Sequence, residues 1–144
     1  MIFIGGDHAG FELKGKIIEY LKEKNIEVED EGTYSEESVD YPDFAKKVAE
    51  KVLNNENALG ILICGTGIGI SMAANKVSGI RAALCTNETM AEYARKHNNA
   101  NVLCIGARII GEELARSIVN TFLSNEFEGG RHTKRVQKII DIED

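Results

Sequence analysis

Proline is almost absent from this chain: among 144 residues, Pro42 is the only one, while glycine occurs 14 times. That balance suits short loops around a compact α/β sheet. No apolar run approaches about 18 residues, so the sequence offers no transmembrane helix. The opening Met1–Asp7 lacks a basic region followed by a long apolar core, which argues against a signal peptide. Positive charge is in deficit, with 17 Lys and Arg against 23 Asp and Glu. A net charge of −6 argues against nucleic acid as a partner, because phosphate backbones require a basic surface. Cysteine is confined to Cys64, Cys85 and Cys104, without a CxxC pair. An odd count in or beside apolar strand-like runs fits free thiols in a reducing cytoplasm. There is no linker, repeat or low-complexity segment, and residues 1–144 read as one domain.

What is present is a regular alternation of strand and helix patterns. Ile2–Ile4 reads as a first strand. Leu13, Ile17, Ile18 and Leu21 recur at helical spacing and predict a helix over about 11–24. Ile26–Glu29 alternates as a strand, and a polar loop from Gly32 to Tyr41 follows. Asp43 is expected to cap a helix whose apolar face is Phe44, Val48 and Val52. Ile61–Cys64 forms the third strand, followed by a helix carrying Met72, Ala73 and Val77. Ile80–Cys85 reads as strand four, Asn87 as the cap of a helix ending near Lys96, and Asn101–Gly106 as strand five. Leu114, Ile118, Val119 and Phe122 mark a further helix, and a last one spans about His132–Ile142. The expectation is a three-layer α/β/α, Rossmann-like fold with a five-stranded parallel sheet. Its functional loops, after strands one, three, four and five, should share one edge.

The most informative stretch is Gly60-Ile61-Leu62-Ile63-Cys64-Gly65-Thr66-Gly67-Ile68-Gly69-Ile70-Ser71. A buried strand ends on a thiol, and alternate glycines lead into a helix. In a parallel sheet this puts Cys64 beside free backbone N–H groups, where ligands bind. Gly65, Gly67 and Gly69 let the backbone approach a ligand, and the helix start behind them favours negative charge. Such surroundings are of the kind that stabilise a thiolate. Cys85 also ends a strand but lacks the cradle, and Cys104 sits mid-strand as a packing residue. The pattern is neither GxGxxG nor a P-loop, since Ile70 occupies the last glycine position and no Lys-Ser or Lys-Thr follows.

Polar groups cluster near the other strand ends. Asp7-His8 follows strand one directly; Asp7 suits either a helix cap or a functional pair with His8. His97-Asn98 precedes strand five. Arg131 and Arg135, four apart behind Gly129-Gly130, share a helix face, and cations at a helix start call for a compensating anion. Two guanidinium forks suit a phosphate dianion, with Arg108 as a third candidate. Asp7, His8, Cys64 and His97 show no recognised metal-ligand spacing.

The ordered set Gly6-Asp7-His8-Ala9-Gly10-Phe11, Asp40-Tyr41-Pro42, Cys64-Gly65-Thr66-Gly67-Ile68-Gly69, Ala74-Asn75-Lys76, Gly79-Ile80-Arg81, His97-Asn98-Asn99-Ala100 and Gly129-Gly130-Arg131-His132 resembles type B ribose-5-phosphate isomerases over essentially the whole chain. The resemblance implies an aldose–ketose isomerase of the pentose phosphate pathway. It would work through an enediolate with no cofactor and no metal. The cysteine matching Cys64 would move a proton between C1 and C2. Thr66 would assist transfer between the two oxygens, and the Gly65–Gly69 amides, Ile68 included, would hold the oxyanion. His97 with Asp7 would open the furanose ring, while Tyr41 and Asn98 would bind the sugar. His8, Arg108, Arg131 and Arg135 match the phosphate-binding set. The family's site is shared between subunits, so a homodimer or dimer of dimers is implied.

Some relatives lack the cysteine and carry a glutamate at the position of Ile70; this chain belongs to the cysteine group. The related galactose-6-phosphate isomerase subunits lack the His-Asn pair and the Gly-Gly-Arg-His segment, both present here, which favours a five-carbon substrate. Met72 and the acidic tail Asp141–Asp144 depart slightly from the family pattern. Alternatives are an isomerase of a six-carbon sugar phosphate such as allose 6-phosphate, or a non-catalytic sugar-phosphate sensor. A sensor would keep the arginines without needing Cys64, Thr66 and His97.

Overall fold

A computed structural model describes residues 1–143; Asp144, the last residue of the acidic tail, lies outside the described residues. Five strands form one all-parallel sheet: β1 (Ile2–Gly6), β2 (Val28–Asp30), β3 (Leu59–Cys64), β4 (Ala82–Leu84) and β5 (Val102–Gly106). Their order is β2-β1-β3-β5-β4. Helices α1 (Phe11–Glu23), α2 (Tyr41–Leu53), α3 (Ile68–Ala74), α4 (Glu88–Lys96), α5 (Glu112–Ser124) and α6 (Arg131–Ile140) connect them or follow.

Side chains alternate across the central strands, because successive residues of a strand point to opposite faces. Ile4, Ile61, Ile63, Leu103 and Ile105 pack with α1, α4 and α5, around Ile17 and Phe122. Phe3, Leu62, Cys64, Val102 and Cys104 pack with α2 and α3, around Val48 and Ile70. This gives the expected three layers, with β1, β3 and β5 buried from both sides. Burying one such Ile or Phe side chain contributes about 1.5–3 kcal/mol.

Several local expectations shift. α2 starts earlier than read: Asp40, with extended backbone, precedes Tyr41, and Pro42 lies in the first turn. Proline is tolerated there because first-turn N–H groups have no intrahelical acceptor. Asp43 is therefore a first-turn acid rather than the cap. α3 ends at Ala74, so its inward residues are Ile70 and Ala74, while Met72 is 64% exposed. The edge strands β2 and β4 are shorter than read. Asn87 does cap α4, accepting the Met90 N–H at 2.9 Å.

One buried cation braces the site side of the sheet. Lys14, 1% exposed, donates to Asp30 Oδ1 at 2.6 Å and to the Thr33 carbonyl at 2.7 Å. Gly6 N–H donates to the Gly32 carbonyl and Thr33 N–H to the Gly6 carbonyl, both at 2.8 Å. The loop after β2 is thus tied to the end of β1.

Candidate active site

The chain runs from β1 out to β2 and then returns to β3 on the other side of β1. The carboxyl ends of β1 and β3 therefore flank a topological switch point, where open α/β sheets leave a crevice. A cleft of about 400 Å³ occupies that place. Asp7, His8 and Ala9 from the end of β1 line it, with Cys64, Gly65 and Thr66 from the end of β3. Ile68 and Gly69 of α3, Tyr41 of α2 and Arg108 after β5 complete it.

Backbone packing holds the two strand ends together. A side chain at Gly6 or Gly10 would begin 2.3 or 2.4 Å from the Ile63 carbonyl oxygen, so only glycine permits this approach. Asp7 N–H donates to the same carbonyl at 3.2 Å. The Asp7 carboxylate, 6% exposed, is also a cap: its Oδ1 accepts the N–H groups of Ala9 and Gly10 at 3.0 and 3.2 Å. Both readings of Asp7 thus hold for position, since the capping residue lines the cleft.

Cys64 sits at the cleft floor, 5% exposed. Its sulfur accepts the Gly67 N–H at 3.1 Å. Gly67 has φ +82°, and a Cβ there would lie 2.5 Å from Leu84 Cδ1, so the turn that delivers this N–H depends on glycine. Thr66 Oγ1 accepts the Ile68 N–H at 3.2 Å. Two amides expected to face an oxyanion, those of Gly67 and Ile68, are thus already engaged within the loop. The Gly69 N–H lies in the first turn of α3, where helical N–H groups lack an intrahelical acceptor, and Gly69 borders the cleft.

The other thiols are set apart. Burial pushes the Cys85 thiol up to about 11. Burial, with Cys64 and Cys85 as lesser causes, also pushes the fully buried Cys104 thiol up. Both stay protonated at neutral pH, as packing residues should.

The remaining candidates lie elsewhere. His97 ends α4 and Asn98 follows it, both before β5 begins, whereas Cys64 is the last residue of β3 and Arg108 follows the end of β5. In a parallel sheet these are opposite edges, separated by a five-residue strand, about 16 Å at the usual rise. Arg131 and Arg135 stay with the His97 edge, because His132 between them stacks on His97 with ring centroids 4.1 Å apart. Tyr93 stacks on the other face of His97 at 4.6 Å. The expectation that all candidate polar groups gather on one edge within a single chain is therefore corrected. Arg131 and Arg135 are exposed and, among the described residues, pair with no carboxylate.

Sequence reasoning missed Glu128, whose carboxylate lies 3.4 Å from His97 Nε2. Ligand atoms of His97, Glu128 and His132 lie within 4.8 Å of one another, a metal-capable set. The two imidazole planes differ by only 13°, so their in-plane lone pairs do not converge on one ion. Burial first, then the charges of His97, Arg131 and Arg135, hold His132 below its usual value. The same cations disfavour a bound dication.

Fold and cleft define a doubly wound α/β protein with a thiol, an imidazole and a guanidinium group at the switch point. The chain belongs to the ribose/galactose isomerase family, whose profile matches residues 2–139. It is 51% identical to the ribose-5-phosphate isomerase B of Escherichia coli K12, over 99% of this chain and 95% of that protein. A solved ribose 5-phosphate isomerase from Thermotoga maritima superposes with TM-score 0.95 at 61% identity, covering 97% of each chain. The ribose-5-phosphate isomerase B of Mycoplasma genitalium, solved with bound ribulose-5-phosphate, gives TM-score 0.93 at 51% identity, over 98% of this chain and 94% of that one.

Proposed function

We propose that this chain interconverts D-ribose 5-phosphate and D-ribulose 5-phosphate through an enediolate, at sites each built from two copies of the chain. The observation that carries the reading is the division of the candidate residues. Cys64, Thr66, Asp7, His8, Tyr41 and Arg108 border one cleft at the carboxyl edge of the sheet. His97, Asn98, Arg131 and Arg135 lie together at the amino edge, with two exposed arginines that, among the described residues, pair with no carboxylate. A second copy that presents its amino-edge group to the first copy's cleft completes the set.

In that assembly the phosphate is held by His8 and Arg108 of one copy and by Arg131 and Arg135 of the other. Charge-assisted contacts of this kind are the strong ones, and guanidinium forks fit phosphate oxygens. His97 protonates the ring oxygen while Asp7 takes the hydroxyl proton at C1, which opens the furanose. Cys64 as thiolate removes the C2 proton and returns it to C1. Thr66 passes the proton between O1 and O2, and the free Gly69 amide faces the developing oxyanion. Asn98 and Tyr41 orient the open chain.

The edge strand β4 and its flanks supply an apolar surface for such a partner: Met72, Met90, Tyr93 and Ile139 are all over 40% exposed. A homodimer, or a dimer of dimers, follows. The three free cysteines fit a reducing cytoplasm. The deciding experiment is turnover of ribose 5-phosphate, allose 6-phosphate and galactose 6-phosphate by the purified protein, with ketose formation as the readout. Ribose 5-phosphate is expected to be the best substrate. Turnover confined to a six-carbon phosphate would overturn the pentose assignment, and binding without turnover would make the protein a sensor.

A further inference from the structure

The segment between the tied residue Thr33 and the start of α2 is exposed from Tyr34 to Ser38 and contains no helix or strand. One hydrogen bond joins it to the cleft. The backbone N–H of Val39 donates to Nδ1 of His8 at 3.2 Å, across 31 residues of chain. A backbone N–H can only donate, so the ring nitrogen that receives it carries no proton. In a neutral imidazole the proton then resides on Nε2.

We propose that Val39 is a positioning residue: its N–H fixes His8 as the Nε2–H tautomer, so that His8 presents a directed, uncharged donor to the substrate phosphate. The phosphate role of His8 rests on the reading given above; the tautomer does not. The division of labour is chemically sensible. Arg108 and the arginines of the second copy supply charge, while a neutral donor of fixed orientation supplies direction. The Nδ1–H tautomer would set two N–H groups against each other and leave an acceptor facing phosphate oxygens, which have no proton to give it. The same bond carries the loop into α2, where Tyr41 stands at the cleft. The loop thereby leads from His8, assigned to the phosphate, to Tyr41, assigned to the sugar.

Two-bond nitrogen–proton correlation spectra of 15N-histidine-labelled protein read the tautomer directly, with His8 assigned by its loss in His8→Asn. Unliganded wild-type protein is expected to show a bare Nδ1 and a protonated Nε2. Val39→Ala keeps the N–H and is expected to leave tautomer, KM and kcat unchanged. Val39→Pro removes the donor. It is expected to mix the tautomers and to raise KM for ribose 5-phosphate about 2- to 10-fold, the worth of one hydrogen bond, with kcat nearly constant. A predominant Nδ1–H form in the wild type, or an unaltered tautomer in folded Val39→Pro, overturns the proposal. A shifted tautomer with unchanged KM upholds the positioning bond and overturns the phosphate role of His8. Should Val39→Pro not fold, the wild-type tautomer decides alone.

Discussion

The Gly67 amide donates to the Cys64 sulfur at 3.1 Å, and this bond joins the end of β3 to the start of α3. It singles out one of three buried thiols. Cys85 and Cys104 are pushed up by burial, and neither receives a backbone N–H at sulfur among the described residues. Cys64→Ala is expected to lower kcat by about 10²–10⁴, the range for loss of a general base, with KM little changed. Cys85→Ala and Cys104→Ala should affect stability more than rate. Chelation is expected to leave wild-type turnover unchanged. Wild-type rates in Cys64→Ala, in a steady-state assay, would remove the thiol from the mechanism.

Tyr41 lies against Gly69 so closely that a Cβ at Gly69 would fall 2.5 Å from its Cζ and 2.6 Å from its hydroxyl. Tyr41 is 38% exposed and can swing away, so Gly69→Ala should fold. Alanine also favours a helix more than glycine does. The cost should appear as a raised KM through the displaced ring. In a Tyr41→Ala background, Gly69→Ala should add little further loss. Side chains in contact commonly couple by about 0.5–3 kcal/mol, and a double-mutant cycle on kcat/KM measures it. Simple additivity would sever the two residues.

Glu29 and Glu31 sit beside Lys51, at 3.3 and 3.8 Å. Burial, then the neighbouring Glu29, pushes the Glu31 carboxyl up to about 7. Glu29 is held below its usual range by a hydrogen bond from Glu31 and then by Lys51. Between roughly the ordinary carboxyl value and 7, the folded chain keeps a proton that the unfolded chain has lost. Stability from Glu31 is therefore complete at low pH and declines as pH rises through 7. Glu31→Gln keeps a donor to Glu29 and no longer titrates. Its Tm relative to wild type should rise between pH 5 and pH 8; a constant difference across that range would contradict the shared proton.

Much of this architecture was legible in the chain because continuous apolar runs mark strands buried on both sides and helical spacing is strong where helices are long. The strands β3 and β5, the α1 stripe and the Asn87 cap are examples. Legibility failed where tertiary context sets the phase. Met72 and Ala73 sit in a helix of seven residues, whose inward pair, Ile70 and Ala74, is chosen by the glycine turn before it. Asp43 lost the cap because Pro42 can occupy the first turn ahead of it. In the site, strand ends made Asp7, His8 and Cys64 visible as neighbours. The Val39 contact is made by backbone and leaves no residue-type signature. His97 could be recognised as chemically apt, but its place on the far edge follows from lying before β5 rather than after it.

That separation of edges makes the strongest test. If each site needs Cys64 from one copy and Arg131 from another, two different inactive chains can repair one another. Arg131→Ala should weaken phosphate binding by about 10- to 150-fold, given roughly 1.5–3 kcal/mol for a charge-assisted contact. Cys64→Ala should abolish most turnover. In a hybrid dimer of the two variants, one site carries both lesions and the other carries neither. Mixing the proteins under conditions of verified subunit exchange should therefore restore up to half the wild-type activity of each hybrid, with wild-type KM. The single variants exchanged with themselves are the controls. Exchange without recovery would mean that each chain completes its own site, and the assignment of His97 and Arg131 to a neighbouring copy's cleft would fall with it.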